Sequence, residues 1–232
     1  NWLPDLDQLR RLIRPNTKMI CINNANNPTG ALMDTAYLEE LVTIAKEVDA
    51  YIFSDEVYRS FDQPAPSIVD LYEKGLAVNS LSKTYSIPGI RVGWVASNTE
   101  VADILRDYRD YTMICAGVFD DMVATLVLEN KEAILERNRQ IVEENLALMD
   151  TWIARESKAS WIRPASVSTS FVKLDVNRPI EDFALELLQD YGVLVVPGNR
   201  FDKESHVRIG YCCDKEVLQK GLEKLSQFLN KC

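Results

Sequence analysis

Histidine is nearly absent from this chain, which has one, at position 206. Its five cysteines (Cys21, Cys115, Cys212, Cys213 and Cys232) are odd in number, and no two stand in a CxxC pair. Zinc-type sites draw on His and Cys at fixed spacings, so no metal site is expected. Nor is a disulfide framework, and a reducing cytoplasm is the expected compartment. No run approaches the ~20 apolar residues of a membrane-spanning helix, so no membrane partner is expected. Basic residues are the minority, 26 Lys and Arg against 35 Asp and Glu, for a net charge of −9. Nucleic-acid footprints are basic, which argues against DNA or RNA as a partner. An initiator Met and a signal-peptide pattern are also missing; the chain opens Asn1-Trp2-Leu3-Pro4. What remains is ordinary globular material: 232 residues, 47% hydrophobic and 26% charged. That is enough for a sizeable core and excludes a disordered tail, a collagen-like repeat or a disulfide miniprotein.

Four short apolar runs mark the first hundred residues: Lys18 to Asn23, Tyr51 to Ser54, Leu76 to Asn79 and Arg91 to Val95. Each is continuous rather than alternating, the pattern of strands buried on both faces. Between the first two, Leu38, Leu41, Val42, Ala45 and Val48 recur at helical spacing behind Asp34, a natural N-cap. Strand, helix and strand in about thirty residues make the βαβ unit of a parallel sheet. Helices follow, with Val101, Ile104 and Leu105 on one apolar face and Met122 to Leu128 supplying another. A longer helix is predicted over about Ala133 to Glu156, with Ile134, Ile141 and Leu148 in a seven-residue repeat, and Leu135, Val142 and Met149 beside them, facing a core. Beyond it, strands are predicted over Ser170–Leu174, Val193–Val196 and Val207–Ile209, and helices over Ile180–Tyr191 and after Asp214. The last helix would turn Val217, Leu218, Leu222, Leu225 and Leu229 inward. The expected class is α/β, a mostly parallel sheet with flanking helices over residues 1–135. A bridging helix and a small α+β C-terminal domain are expected over 136–232.

Polar residues stand just beyond the carboxyl ends of three predicted strands, the edge where open α/β sheets bind ligands. Asn27 precedes Asp55 by 28 residues, and Asp55 precedes Lys83 by another 28. Each has a plain reading by itself. Asn26-Asn27-Pro28-Thr29-Gly30 is a turn by composition. Asp55 could cap a helix. Lys83 could be one more solvated lysine. Their other readings are an amide held rigidly enough to donate to a ligand oxygen, a carboxylate that needs a partner such as a protonated ring nitrogen, and a nucleophilic amine. Desolvation and nearby positive charge would lower that amine's pKa toward nucleophilicity.

The same stretches resemble a family. Asn27-Pro28-Thr29-Gly30, Asp55-Glu56-Val57-Tyr58, Ser80-Leu81-Ser82-Lys83-Thr84, Gly89-Ile90-Arg91-Val92-Gly93-Trp94, Pro197-Gly198-Asn199-Arg200-Phe201 and Val207-Arg208-Ile209 appear in the order and spacing of the class I/II aminotransferases. These are pyridoxal 5'-phosphate (PLP) enzymes of fold type I. The resemblance implies that Lys83 holds PLP as a Schiff base and shuttles a proton at the substrate α-carbon. It implies that Asp55 pairs with the pyridinium nitrogen, and that Asn27 and Tyr58 bind the phenolic oxygen. Ser80, Ser82 and Arg91 would contact the phosphate, Ser82 the more variable of them in type. Arg208 would grip the substrate α-carboxylate, a task its planar fork suits. Trp94 and Tyr85 are expected to pack rather than stack on the cofactor, and His206 has no role in the family pattern.

The implied activity is exchange of an amino group between an amino acid and a 2-oxo acid, in a cytoplasmic homodimer. A C–S β-lyase or cyclising synthase of the same fold shares these PLP contacts and is the alternative. A third reading is the aminotransferase-like sensor domain of a transcription regulator. Family members are longer, and their upstream phosphate loop and ring-stacking aromatic have no counterpart here. The chain therefore reads as the C-terminal part of such a protein, expected to bind PLP poorly by itself.

Overall fold

A computed structural model describes the chain except residues 63, 64, 166 and 232, so Cys232 of the cysteine tally lies outside the described residues. The chain divides into two compact units. One comprises Leu3–Ala25 and Leu32–Asn138; the other comprises Asn1–Trp2, Asn26–Ala31 and Arg139–Cys232. They are taken in turn.

The first unit is built on four strands: β1 (Met19–Asn23), β2 (Tyr51–Asp55), β3 (Gly75–Ser80) and β4 (Gly93–Ala96), in the spatial order β1-β2-β3-β4. The first three run parallel, and β4 returns antiparallel to β3. Helix α1 (Leu6–Leu12) leads into the sheet, and α2 (Thr35–Glu47) makes the β1-to-β2 crossover. Asp34 starts α2 by accepting the Tyr37 N–H at 2.9 Å, which satisfies one of the helix's orphan donors. The inward stripe of α2, Leu38, Leu41, Val42 and Ala45, is buried with Ile20 and Ile52 of the sheet and with Ile68 of α3 (Ile68–Leu71).

The expectation of strands buried on both faces holds only at the sheet's centre. In β1 only Ile20 is buried, and in β4 no residue is, since both are edge strands. Helices α4 (Thr99–Arg109) and α5 (Val118–Glu129) form where the periodicity places them. Their apolar faces are largely bare, however: α4 buries no residue and α5 only Ala124 and Val127. Periodicity specifies that a face exists; what covers it is decided by distant parts of a structure.

The chain passes into the second unit along α6 (Lys131–Arg155). Beyond Arg139 it buries Val142, Asn145, Leu146, Met149 and Trp152; Val142 and Met149 keep the predicted seven-residue step, whereas Ile141 and Leu148 are only half-buried. The second sheet has the order β5-β6-β8-β7, every pair antiparallel: β5 (Ala159–Trp161), β6 (Thr169–Leu174), β7 (Val196–Pro197) and β8 (His206–Gly210). Helices α7 (Ile180–Tyr191) and α8 (Lys215–Leu229) complete it, with Phe183, Leu187, Leu222, Leu225, Phe228 and Leu229 buried.

Two expectations need correction here. The predicted strand Val193–Val196 pairs only at Val196–Pro197, because the chain leaves α7 through left-handed Gly192 and carries Leu194 to the surface. Val217 is exposed, so the inward stripe of α8 is Leu218, Leu222, Leu225 and Leu229. Helix α1 and strand β5 are too short to show periodicity and went unpredicted. Among the described residues no helix is long and apolar enough to cross a membrane, and Cys21, Cys115 and Cys213 are free thiols.

Candidate active site

In the first unit, parallel pairing aligns the carboxyl ends of β1, β2 and β3, with Asn23 opposite Asp55 and Asp55 opposite Val78. Asp55 is the last residue of β2 and is partly buried. It caps no helix: its carboxylate accepts the Val57 N–H at 3.1 Å, and its carbonyl accepts the Asn23 side-chain amide at 3.0 Å. The carboxylate is thereby fixed at the strand's end with acceptor capacity left over.

Lys83 stands in the loop that follows β3, and its Nζ lies 5.6 Å from the centroid of the Tyr58 ring. Thr84 makes this juxtaposition by joining the two loops. Its Oγ1 donates to the Val57 carbonyl at 3.1 Å and accepts the Arg59 N–H at 3.1 Å. The Thr84 carbonyl is in turn held by the Asn138 side-chain amide at 3.0 Å. Fully buried Leu81 anchors the loop against Ala124 and Val127, with Tyr85 packed alongside as expected. Trp94, expected to pack, is 39% exposed on the edge strand. Lys83 itself is exposed, so this unit does not supply the desolvation anticipated for its amine.

Ser80 ends β3, and its hydroxyl accepts the Ser82 N–H at 3.2 Å. The Leu81 N–H donates to the Val92 carbonyl at 3.1 Å, which brings Arg91 alongside the Ser80–Ser82 segment. Arg91 occupies the left-handed region, φ 53°, and one guanidinium N–H reaches the Pro88 carbonyl at 2.7 Å. The first unit thus gathers an amine over a phenol ring, a fixed carboxylate, two hydroxyls and a guanidinium. That donor set fits PLP in kind: Lys83 would take the aldehyde, Asp55 the ring nitrogen, and Ser80, Ser82 and Arg91 the phosphate.

The second unit holds the other two candidates. The Asn26–Ala31 turn is closed by Gly30 N–H to the Asn26 carbonyl at 2.7 Å and by Thr29 Oγ1–H to Asn26 Oδ1 at 2.7 Å. Gly30 has φ +69°, and a Cβ there would collide with the Pro164 side chain. Asn27, presented by this turn, accepts an N–H of Arg208 on its Oδ1 at 2.9 Å. Arg208 projects from β8, partly buried, with its guanidinium carbon 5.6 Å from the Phe201 ring centroid. Phe201 touches Arg208, and Thr84 joins the loops of Tyr58 and Lys83; the sequence offers both only as members of longer motifs. Only the pairing of separate loops shows that these two residues support the named ones.

A family model described as aminotransferase class I and II matches residues 1–225. The chain belongs to the class I and II aminotransferases. An aspartate aminotransferase of Thermotoga maritima is 30% identical over 240 residues, covering 99% of this chain and 61% of that protein. Capreomycidine synthase of Streptomyces vinaceus is 28% identical, covering 98% of this chain and 60% of that protein. Among solved structures, a PLP-dependent aminotransferase from Streptococcus suis 89-1591 superposes with a TM-score of 0.98 at 69% identity, covering 99% of this chain and 62% of that one. This aminotransferase-family chain therefore spans about three fifths of the length of the relatives it matches.

Proposed function

We propose that the protein is a PLP-dependent aminotransferase that exchanges an amino group between an amino acid and a 2-oxo acid. The observation that carries this reading is Lys83 Nζ held over the Tyr58 ring in the same unit as the fixed carboxylate of Asp55. When bound, PLP supplies a conjugated ring able to take up the electron pair released at a substrate α-carbon. The residues do the rest. Asp55, an anion at the end of β2, keeps the ring nitrogen protonated, which makes that uptake favourable. Lys83 holds the cofactor and then, as a free amine, carries the proton at the α-carbon. The Tyr58 hydroxyl and the Asn27 amide are assigned to the phenolic oxygen, and Ser80, Ser82 and Arg91 to the phosphate. Arg208 receives the substrate carboxylate, with Asn27 Oδ1 orienting one side of its fork. In this reading residues 1–135 belong to the cofactor-binding domain and 136–232 to the smaller one, and the whole protein works as a cytoplasmic homodimer.

A second reading is a synthase of the same fold, which the likeness to capreomycidine synthase favours, or a C–S β-lyase, which would share the same cofactor contacts. The test uses full-length, PLP-loaded protein and single L-amino acids with no 2-oxo acid added. About one equivalent of the matching 2-oxo acid per bound PLP, without ammonia, is expected of transamination. Continuous release of pyruvate and ammonia would assign elimination instead. No product from any amino acid would contradict both.

A further inference from the structure

Arg208 is held in two directions. In the plane of its guanidinium, Asn27 Oδ1 takes one N–H at 2.9 Å. The guanidinium carbon also lies over the ring of Phe201, 5.6 Å from the ring centroid. A guanidinium has five N–H donors and two faces. A contact through the face restrains the group without using a donor, whereas each in-plane partner removes one from the substrate. Support by an aromatic face is therefore the arrangement that keeps a carboxylate fork both fixed and vacant.

The ring is itself held. Phe201 meets Phe171 edge to face, with centroids 5.8 Å apart at 83°. Phe171 is 2% exposed and sits directly opposite Arg208 in the β6–β8 ladder. On its other side it stacks on His206 at 4.8 Å and 22°. Trp2 closes the cluster, 5.7 Å from Phe171 and 5.5 Å from His206. His206 and Arg208 are two residues apart on β8, so their side chains leave the same face of the sheet. Gly198 lets the turn carrying Phe201 press against this strand, since a Cβ there would strike the Lys203 and His206 carbonyl oxygens.

We propose that Phe201, backed by Phe171 and His206, is a positioning residue that sets the plane of the Arg208 guanidinium for recognition of a substrate α-carboxylate. The proposal rests on the assignment of Arg208 to that carboxylate. It also gives the aromatic at position 201 and the lone histidine a shared task.

The test uses full-length, PLP-loaded protein and two probes, 2-methylalanine and its methyl ester. The former has no α-hydrogen to lose, so equilibrium binding is read without turnover. The ratio of the two affinities isolates the carboxylate contact. Phe201→Leu keeps the apolar volume but removes the ring face, and is expected to lower the acid-over-ester preference about 3–30-fold. Phe201→Tyr keeps the face and is expected to restore it. With substrates, the Leu variant should raise KM far more than it lowers kcat. In the same protein without cofactor, the Arg208 Nε–H resonance should carry a ring-current shift that Leu abolishes and Tyr retains. A parental affinity ratio in Phe201→Leu, alongside a lost preference in Arg208→Ala, would overturn the positioning role alone. A parental ratio in Arg208→Ala would overturn the carboxylate assignment, and the positioning role with it.

Discussion

Replacing Asn145 with Leu tests how the turn after β8 is held. Asn145 lies mid-way along α6 and is 1% exposed. Its side-chain amide donates twice, to the Tyr211 carbonyl at 2.7 Å and the Cys213 carbonyl at 2.8 Å. The segment 211–213 directly follows the strand that carries Arg208. Leucine has similar bulk and no donor, so both carbonyls lose their partner, at about 1–3 kcal/mol each. Part of this returns, because Asn145 Oδ1 is itself buried without a hydrogen bond and would be removed. The net expectation is a loss of about 1–3 kcal/mol, or a fall of about 2–12 °C in the thermal midpoint. Asn145→Asp is a sharper probe, since it sets a carboxylate against two carbonyl oxygens and should cost more than Leu. The assay is thermal unfolding of the full-length protein, with hydrogen exchange at residues 211–213 to localise the effect. A parental midpoint in Asn145→Leu, or an Asp variant as stable as the Leu variant, would refute the clamp.

Two further expectations follow from the same unit. Gly198→Ala forces a Cβ against the Lys203 and His206 carbonyl oxygens, which should cost about 1–3 kcal/mol in overpacking. An unshifted melting midpoint would show that the turn is looser than described. Burial first, and then Lys173 and Lys203, hold the His206 pKa below its ordinary 6.5. The unfolded chain therefore takes up this proton more readily than the folded one. The resulting stability is present above the unfolded value and lost as pH falls from 6.5 through the folded value. His206→Gln should flatten the decline in melting midpoint between about pH 7 and about pH 5. An equally steep decline would show that His206 titrates without linkage to folding.

The placement of most candidate residues was legible because they fall at or just beyond strand ends, and strand ends follow from short apolar runs. The regular step from Asn27 to Asp55 to Lys83 marks one βαβ repeat each, and Asp55 does sit at the carboxyl end of β2. The cap of α2 was legible for a local reason, since the Asp34 side chain needs only the N–H three residues on. What escaped was what depends on distant partners. Thr84 gains its meaning from Val57 and Arg59, and Asn145 from carbonyls more than sixty residues away. The sequence shows apolar faces on α4 and α5 but not what covers them, and among the described residues most of those side chains are exposed. The run Val193–Val196 reads as a strand by composition, but pairing is limited to the residues that meet β8.

The central claim is that Lys83 is the residue that carries the cofactor. Borohydride reduction of the full-length, PLP-loaded protein, followed by peptide mapping, tests it most directly. The account predicts one pyridoxyl group per chain, on the peptide containing Ser82-Lys83-Thr84, and none in Lys83→Ala. Stoichiometric labelling of any other lysine, or of the Lys83→Ala protein, would contradict it.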